Sequence, residues 1–172
     1  MKLFGIAGWS GSGKTSLITA LLPLFAEVGL QAATIKHAHH SFDVDKPGKD
    51  SYEHRRAGAA EVLITSSQRW VLMHENRHEP EPTLFQLASR LSPADVVLVE
   101  GFKREPIDKL EVYRPELGKP LLQRTDPHVV AIASTGPLSD FPVPQLSLDD
   151  PSAIAKFIIT YCGLASKPPE LP

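Results

Sequence analysis

The stretch Gly8-Trp9-Ser10-Gly11-Ser12-Gly13-Lys14-Thr15 decides the reading of this chain. It fits G-x-x-x-x-G-K-[ST] at every fixed position. The oxygens of a triphosphate need several N–H donors aimed at one place. Glycines let the backbone adopt the angles that turn those N–H groups inward, and a following helix adds its unsatisfied N-terminal N–H groups and the positive end of its dipole. On this reading Gly8, Ser10, Gly11, Ser12, Gly13, Lys14, Thr15 and Ser16 hold phosphate. Lys14 reaches the β- and γ-phosphates as a catalytic cation, and the Thr15 hydroxyl is a ligand for Mg2+. The ligand predicted from the loop is a purine triphosphate with Mg2+.

The flanks agree. Leu3 to Ala7 is a short apolar run that predicts a buried strand leading into the loop. Leu17, Ile18, Leu21, Leu22 and Phe25 recur at helical spacing, so a helix follows it. Pro23 sits inside that pattern, which predicts a kink or a stop near Leu22, and Gly29 is a natural terminator. Further strands are expected at Gln31–His37, Val96–Val99 and Val129–Ala133, and an edge strand at Leu110–Tyr113. Glu61–Thr65 and Arg69–His74 are expected to form a hairpin. Helices are expected at Ser51–Ala60, Thr83–Leu91 and from Pro151, capped by Asp150, to Gly163. Alternation of strands and helices predicts an α/β, P-loop NTPase-like fold. Its mainly parallel sheet is flanked by helices and joined by an antiparallel hairpin or edge strands. One nucleotide-binding domain is expected over 1–165, followed by a mobile, proline-rich tail at 166–172.

Two more segments carry chemistry. The apolar run Val96–Val99 ends in Glu100, placed to hold Mg2+ or orient an attacking water. Lys103 and Arg104 follow it, facing the γ-phosphate or a second anion. The polar loop after the second strand carries Asp45 and Asp50, candidates for Mg2+-linked contacts, with Lys36, Lys46 and Lys49 near phosphate. Its histidines, His37, His39 and His40, lack a cysteine partner and read as solvated, as do His74 and His78. Lys109, Arg114, Lys119 and Arg124, interleaved with Glu111 and Glu116, read as a mixed-charge solvated surface.

Bulk properties narrow the function. A chain of 172 residues with net charge −2 offers no polyanion-binding surface, and no aromatic interleaving marks a nucleic-acid platform, so neither nucleic acid nor membrane is an expected partner. The N-terminal apolar run is too short for a signal or a membrane helix, and the single cysteine, Cys162, suits a reducing compartment; a cytoplasmic protein is expected.

Residues 8–16, the segment from His37 to Ser51, Arg-Arg-Ala-Gly-Ala at 55–59 and Val-Glu-Gly-Phe-Lys at 99–103 together resemble the molybdopterin-guanine dinucleotide biosynthesis protein B (MobB) family over most of the first 135 residues. The resemblance implies a GTP-binding, weakly GTP-hydrolysing accessory protein, typically homodimeric. It would assist the molybdopterin guanylyltransferase that joins GMP to molybdopterin, with molybdopterin itself a further candidate ligand. It also places Asp45, Asp50 and Glu100 around the metal. The guanine-reading N/T-K-x-D motif is absent, Trp9 stands where some related loops carry a second lysine, and no glutamine is evident to position water; slow turnover would fit. A small-molecule kinase with Arg55, Arg56 and Arg104 as lid arginines, or a non-catalytic nucleotide-dependent adaptor, are the alternatives. For strand addition between chains the hairpin and the Leu110 strand are the candidates.

Overall fold

A computed structural model describes residues 1–38, 42–139 and 141–165; the expected tail and the sequence readings at His39 and His40 lie outside the described residues. The chain forms two compact units, one of Met1–His37 with the chain from Leu84 onward, the other of Ala38–Thr83.

In the first unit, β1 (Lys2–Ala7) runs into the glycine loop and α1 (Lys14–Glu27). There follow β2 (Ala32–Lys36) and, after the second unit, α3 (Leu84–Ala88), β5 (Val96–Glu100), β6 (Lys109–Tyr113), β7 (Val129–Ser134), β8 (Gln145–Ser147) and α4 (Pro151–Tyr161). The six strands lie in the order β2-β5-β1-β6-β7-β8, every neighbour parallel. Their carboxyl ends therefore share one edge. The chain turns to opposite sides of β1, so the glycine loop opens at the point where such sheets bind ligands.

Both faces of the sheet are covered. Phe4, Ile6, Leu98, Leu110 and Val112 pack against Leu17, Leu21 and Phe25 of α1 and Ile154 and Ile158 of α4. On the other face Val97 and Val99 meet Leu84 and Ile107. The continuous apolar run of β5 is thus explained by burial on alternate sides. Among the described residues no helix is long and apolar enough to cross a membrane.

Three expectations need correction. Of the kink or stop expected at Pro23, the stop does not occur; the helix runs through Pro23 to Glu27. Phe25 and Leu21 are fully buried, and burial of about 1.5–3 kcal/mol per such side chain outweighs the roughly 3 kcal/mol that an interior proline costs. The helix closes at Gly29, where the Leu30 N–H donates to the Phe25 carbonyl. Secondly, β6 is not an edge: it lies between β1 and β7. Its weak alternation arises because two charged side chains point inward, Lys109 at 2% exposure and Glu111 at 0%. The Lys109 ammonium donates to Asp126 Oδ2 at 2.7 Å and to the carbonyls of Glu105 and Lys103 at 2.9 and 3.3 Å. Glu111 accepts from the N–H groups of Leu122 and Gln123 at 2.8 and 2.9 Å. Gly5 makes room for this arrangement, since a methyl group there would lie 2.6 Å from Lys109 Cβ. An interior β6 also removes it as a place for strand addition. Thirdly, the short β8 was unforeseen; it forms the edge beside β7.

The second unit holds α2 (Asp50–Arg56) and the hairpin of β3 (Glu61–Thr65) and β4 (Trp70–His74). The strands pair antiparallel, as the expected hairpin requires, with Leu63 opposite Leu72. Ser66 closes the turn: its N–H donates to the Arg69 carbonyl at 2.9 Å, and its Oγ accepts from the N–H groups of Gln68 and Arg69.

Candidate functional site

The glycine loop connects β1 to α1 in the predicted strand–loop–helix order. Gly8, Gly11 and Gly13 all take positive φ. At Gly8 (φ 145°) a side chain is excluded twice over, because a methyl group would stand 2.5 Å from the Val112 carbonyl oxygen and 2.7 Å from Ser12 Oγ. Helix α1 starts with Gly13 as its cap, with no side-chain cap and no acidic residue in its first turn. Its first N–H groups thus carry no competing carboxylate. Ser12 is buried, and its Oγ has no hydrogen-bond partner among the described residues. Ser10, Gly11, Thr15 and Ser16 are exposed. The features suit a phosphate cradle: inward-turned backbone, an uncapped helix start and an unmet hydroxyl.

The charged groups converge here within the first unit. The Thr15 hydroxyl donates to Glu100 Oε1 at 3.0 Å, and the Lys36 ammonium stands 3.6 Å from Glu100 Oε2. The Lys14 ammonium folds back onto the Trp9 carbonyl at 2.9 Å. Partial burial lowers the Lys14 pKa; Glu100 opposes that shift, and Lys103 and Lys36 reinforce it. Lys103 lies over the Trp9 ring, 4.5 Å from its centroid. Beyond Glu100, Gly101 is required because a methyl group would meet His37 Cβ at 2.9 Å, and the His37 N–H donates to the Glu100 carbonyl. This pins the ends of β2 and β5 side by side.

The sequence missed Arg114. Read as solvated surface, it instead donates from Nε to the Ser12 carbonyl at 3.0 Å, at the carboxyl end of β6. The clue was the same one that singled out Lys103, a basic residue directly after a strand, but it was masked by taking β6 for an edge. Lys109 and Glu111, also read as solvated, are the buried pair of β6 described above.

Within the second unit, the Asp45 side chain is 4% exposed and ion-paired at 2.8 Å with Arg55, which also faces Asp43 at 3.4 Å and Glu75 at 3.5 Å. Arg56 donates to the Tyr52 hydroxyl. Asp50 is exposed at the start of α2, and Lys46 and Lys49 are exposed. Among the described residues no group of three or more His, Cys, Asp or Glu is assembled for a metal. A cation held by Thr15 and Glu100 would take its other positions from phosphate oxygens and water, which is the usual habit of Mg2+.

Comparison with known proteins agrees with this geometry. The family model for molybdopterin guanine dinucleotide synthesis protein B matches residues 3–135. The molybdopterin-guanine dinucleotide biosynthesis adapter protein of Escherichia coli (strain K12) is 46% identical, over 94% of this chain and 93% of its own length. The protein of the same description from Haemophilus influenzae is 43% identical over 80% of this chain and 77% of its own. A crystal structure of molybdopterin-guanine biosynthesis protein B superposes with a TM-score of 0.75 at 26% identity, covering 94% of this chain and 99% of that one. The loop, its acidic partner strand and these likenesses agree, and the chain belongs to the molybdopterin guanine dinucleotide synthesis protein B family.

Proposed function

We propose that this protein binds GTP with Mg2+ at the Gly8–Ser16 loop, hydrolyses it slowly, and serves as an adapter to the guanylyltransferase that joins GMP to molybdopterin. The observation that carries the reading is the pairing of Thr15 with Glu100 beside Lys14. It sets a hydroxyl, a carboxylate and a phosphate-seeking ammonium at the end of one phosphate-binding loop. The adapter role and the preference for guanine come from family membership, since the Escherichia coli and Haemophilus influenzae relatives are described as molybdopterin-guanine dinucleotide biosynthesis adapter proteins.

In this reading the backbone N–H groups of Gly11–Thr15 orient the phosphates. Lys14 leaves the Trp9 carbonyl to neutralise the β- and γ-oxygens. When bound, Mg2+ would be held by Thr15 and Glu100 and would offset charge on the phosphate oxygens. Glu100, already hydrogen-bonded to Thr15, is poorly free to act as a base. With no glutamine assigned to the water, turnover is expected to be slow. Asp45 and Asp50 are proposed contributors to Mg2+ dependence, and both units together make up the proposed nucleotide-binding domain, 1–165. A kinase lid would need free arginines, whereas Arg55 is engaged by three carboxylates and Arg56 by Tyr52, which favours the accessory reading.

The protein is further proposed to be a cytoplasmic homodimer. Leu63, Ile64, Trp70 and Leu72 expose apolar surface on the β3–β4 hairpin, and such strands seek partners. Phosphate release under single-turnover conditions, and the rate of guanine dinucleotide formation by the guanylyltransferase with and without this protein, test the proposal. Slow, Mg2+-dependent release of phosphate from GTP with stimulation of the partner supports it. Rapid transfer of phosphate to an added metabolite would turn the reading to a kinase.

A further inference from the structure

Trp9, the second residue of the phosphate loop, is fixed from two sides. Its indole N–H donates to the Pro120 carbonyl at 2.7 Å, and the Lys103 ammonium lies over the ring, 4.5 Å from the centroid. Lys103 is half-buried, and among the described residues no carboxylate stands within ion-pair distance of it. A lysine with no counter-ion ordinarily extends into water, because holding its long stem in one geometry sacrifices rotamer freedom. The π-face of an anchored indole supplies the compensating attraction. Lys103 follows Glu100, the carboxylate that accepts from Thr15, and its charge is felt at Lys14. The ammonium is therefore held close enough to the loop for its charge to act at Lys14, the cation expected to reach the terminal phosphates.

We propose that Trp9 is a positioning residue that holds Lys103 over the loop as a second cation for the terminal phosphate of a bound nucleoside triphosphate. This rests on the nucleotide-binding reading given above. A role limited to loop stability would affect di- and triphosphates alike. A role through Lys103 appears in the preference for the triphosphate, because only that ligand carries the group the cation meets.

The test titrates Mg2+–GTP and Mg2+–GDP by calorimetry into the full chain and its Trp9→Leu, Trp9→Phe, Lys103→Met and Trp9→Leu/Lys103→Met variants. Trp9→Leu and Lys103→Met should each weaken GTP binding by roughly three- to tenfold, with GDP binding changed by less than about twofold. Trp9→Phe keeps a ring face and should lose little. The double variant should bind GTP no more weakly than Lys103→Met alone. Equal losses for GTP and GDP, or losses that multiply in the double variant, would overturn the proposal.

A second readout leaves Trp9 in place. The chain has two tryptophans, so in a Trp70→Phe background the emission comes from Trp9 alone. That emission should shift with GTP but not with GDP, and Lys103→Met should abolish the shift; a shift that survives Lys103→Met sinks the positioning role. A parent chain that binds neither nucleotide overturns this proposal together with the reading beneath it. Nucleotide binding without Trp9–Lys103 coupling overturns this proposal alone.

Discussion

Around β6, Lys109 and Glu111 are sealed inside the sheet and hydrogen-bonded to a carboxylate, carbonyls and N–H groups, whereas around the glycine loop, among the described residues, only Lys36 of three ammonium groups is ion-paired with Glu100, Lys14 donating to the Trp9 carbonyl and Lys103 lying over the Trp9 ring. The residue types are the same and the physics differs. A buried charge persists only when paired and hydrogen-bonded, so the β6 cluster is saturated and its value is structural. The loop cluster carries surplus positive charge on partly solvated groups and an orphaned Ser12 hydroxyl, an arrangement that an anionic ligand completes. Saturation serves stability here, and the unmet need is what the proposed nucleotide would fill.

The contrast can be broken first at its structural pole. Lys109→Met leaves Asp126 and two carbonyls without their donor, and should lower stability by about 3–5 kcal/mol. Chemical denaturation measures the loss. Burial works against the Asp126 charge, yet hydrogen bonds from Lys109 and the His128 N–H hold its carboxyl below the usual range. Its contribution is present above the ordinary Asp range and lost as pH falls through the depressed value; Lys109→Met should remove that acid-side loss.

At the other pole, Lys14→Ala should weaken triphosphate binding by about a hundredfold, equivalent to about 2.7 kcal/mol. Its melting temperature should stay close to that of the parent, since among the described residues the ammonium donates only to the Trp9 carbonyl. Calorimetry and a thermal scan on the same sample separate the two effects.

Glu100→Gln keeps an acceptor for Thr15 but removes the charge. It should raise the Mg2+ concentration needed for half-maximal nucleotide binding by about tenfold, at a change in stability below about 1 kcal/mol. A Mg2+ titration at fixed nucleotide reads this directly. Asp50→Asn, in the second unit, offers the same assay for the proposed role of that carboxylate.

The smallest effect sharpens the comparison by sign. Burial raises the Glu111 pKa, and the hydrogen bonds from Leu122 and Gln123 only partly offset it. A raised carboxylate stabilises the fold fully below the ordinary Glu range, and that contribution is lost as pH rises through the folded value. The stability of Glu111→Gln relative to the parent should therefore rise across that window and level off above it. Melting temperatures of the two proteins over an acid-to-neutral series check the slope.

Legibility in the sequence followed local physics. The glycine loop, the double-sided β5 and the β3–β4 hairpin were readable because each rests on spacing within a few residues. The position of β6 was not, because Lys109 and Glu111 look like solvent-facing charges until Asp126 and the N–H groups of Leu122 and Gln123, more than ten residues away, are brought to them. Arg114 was lost with it. Three-residue β8 was hidden by Pro142 and Pro144 and by its polar Gln145 and Ser147. The stop considered at Pro23 does not occur, because the propensity penalty was weighed without the burial of Phe25 and Leu21. At the site, Lys14, Thr15, Glu100 and Lys103 were legible from motif and strand end. The anchoring of Trp9 by Pro120, 111 residues away, was not.

The central claim is that the unsaturated cluster at Lys14, Thr15 and Glu100 binds a guanine triphosphate. Calorimetric titration of the full chain with GTP and with ATP, each in the presence and absence of Mg2+ and beside Lys14→Ala, tests it most directly. The account predicts Mg2+-dependent GTP binding that clearly exceeds ATP binding and is lost in Lys14→Ala. Equal binding of the two nucleotides, or GTP binding indifferent to Lys14, would contradict it.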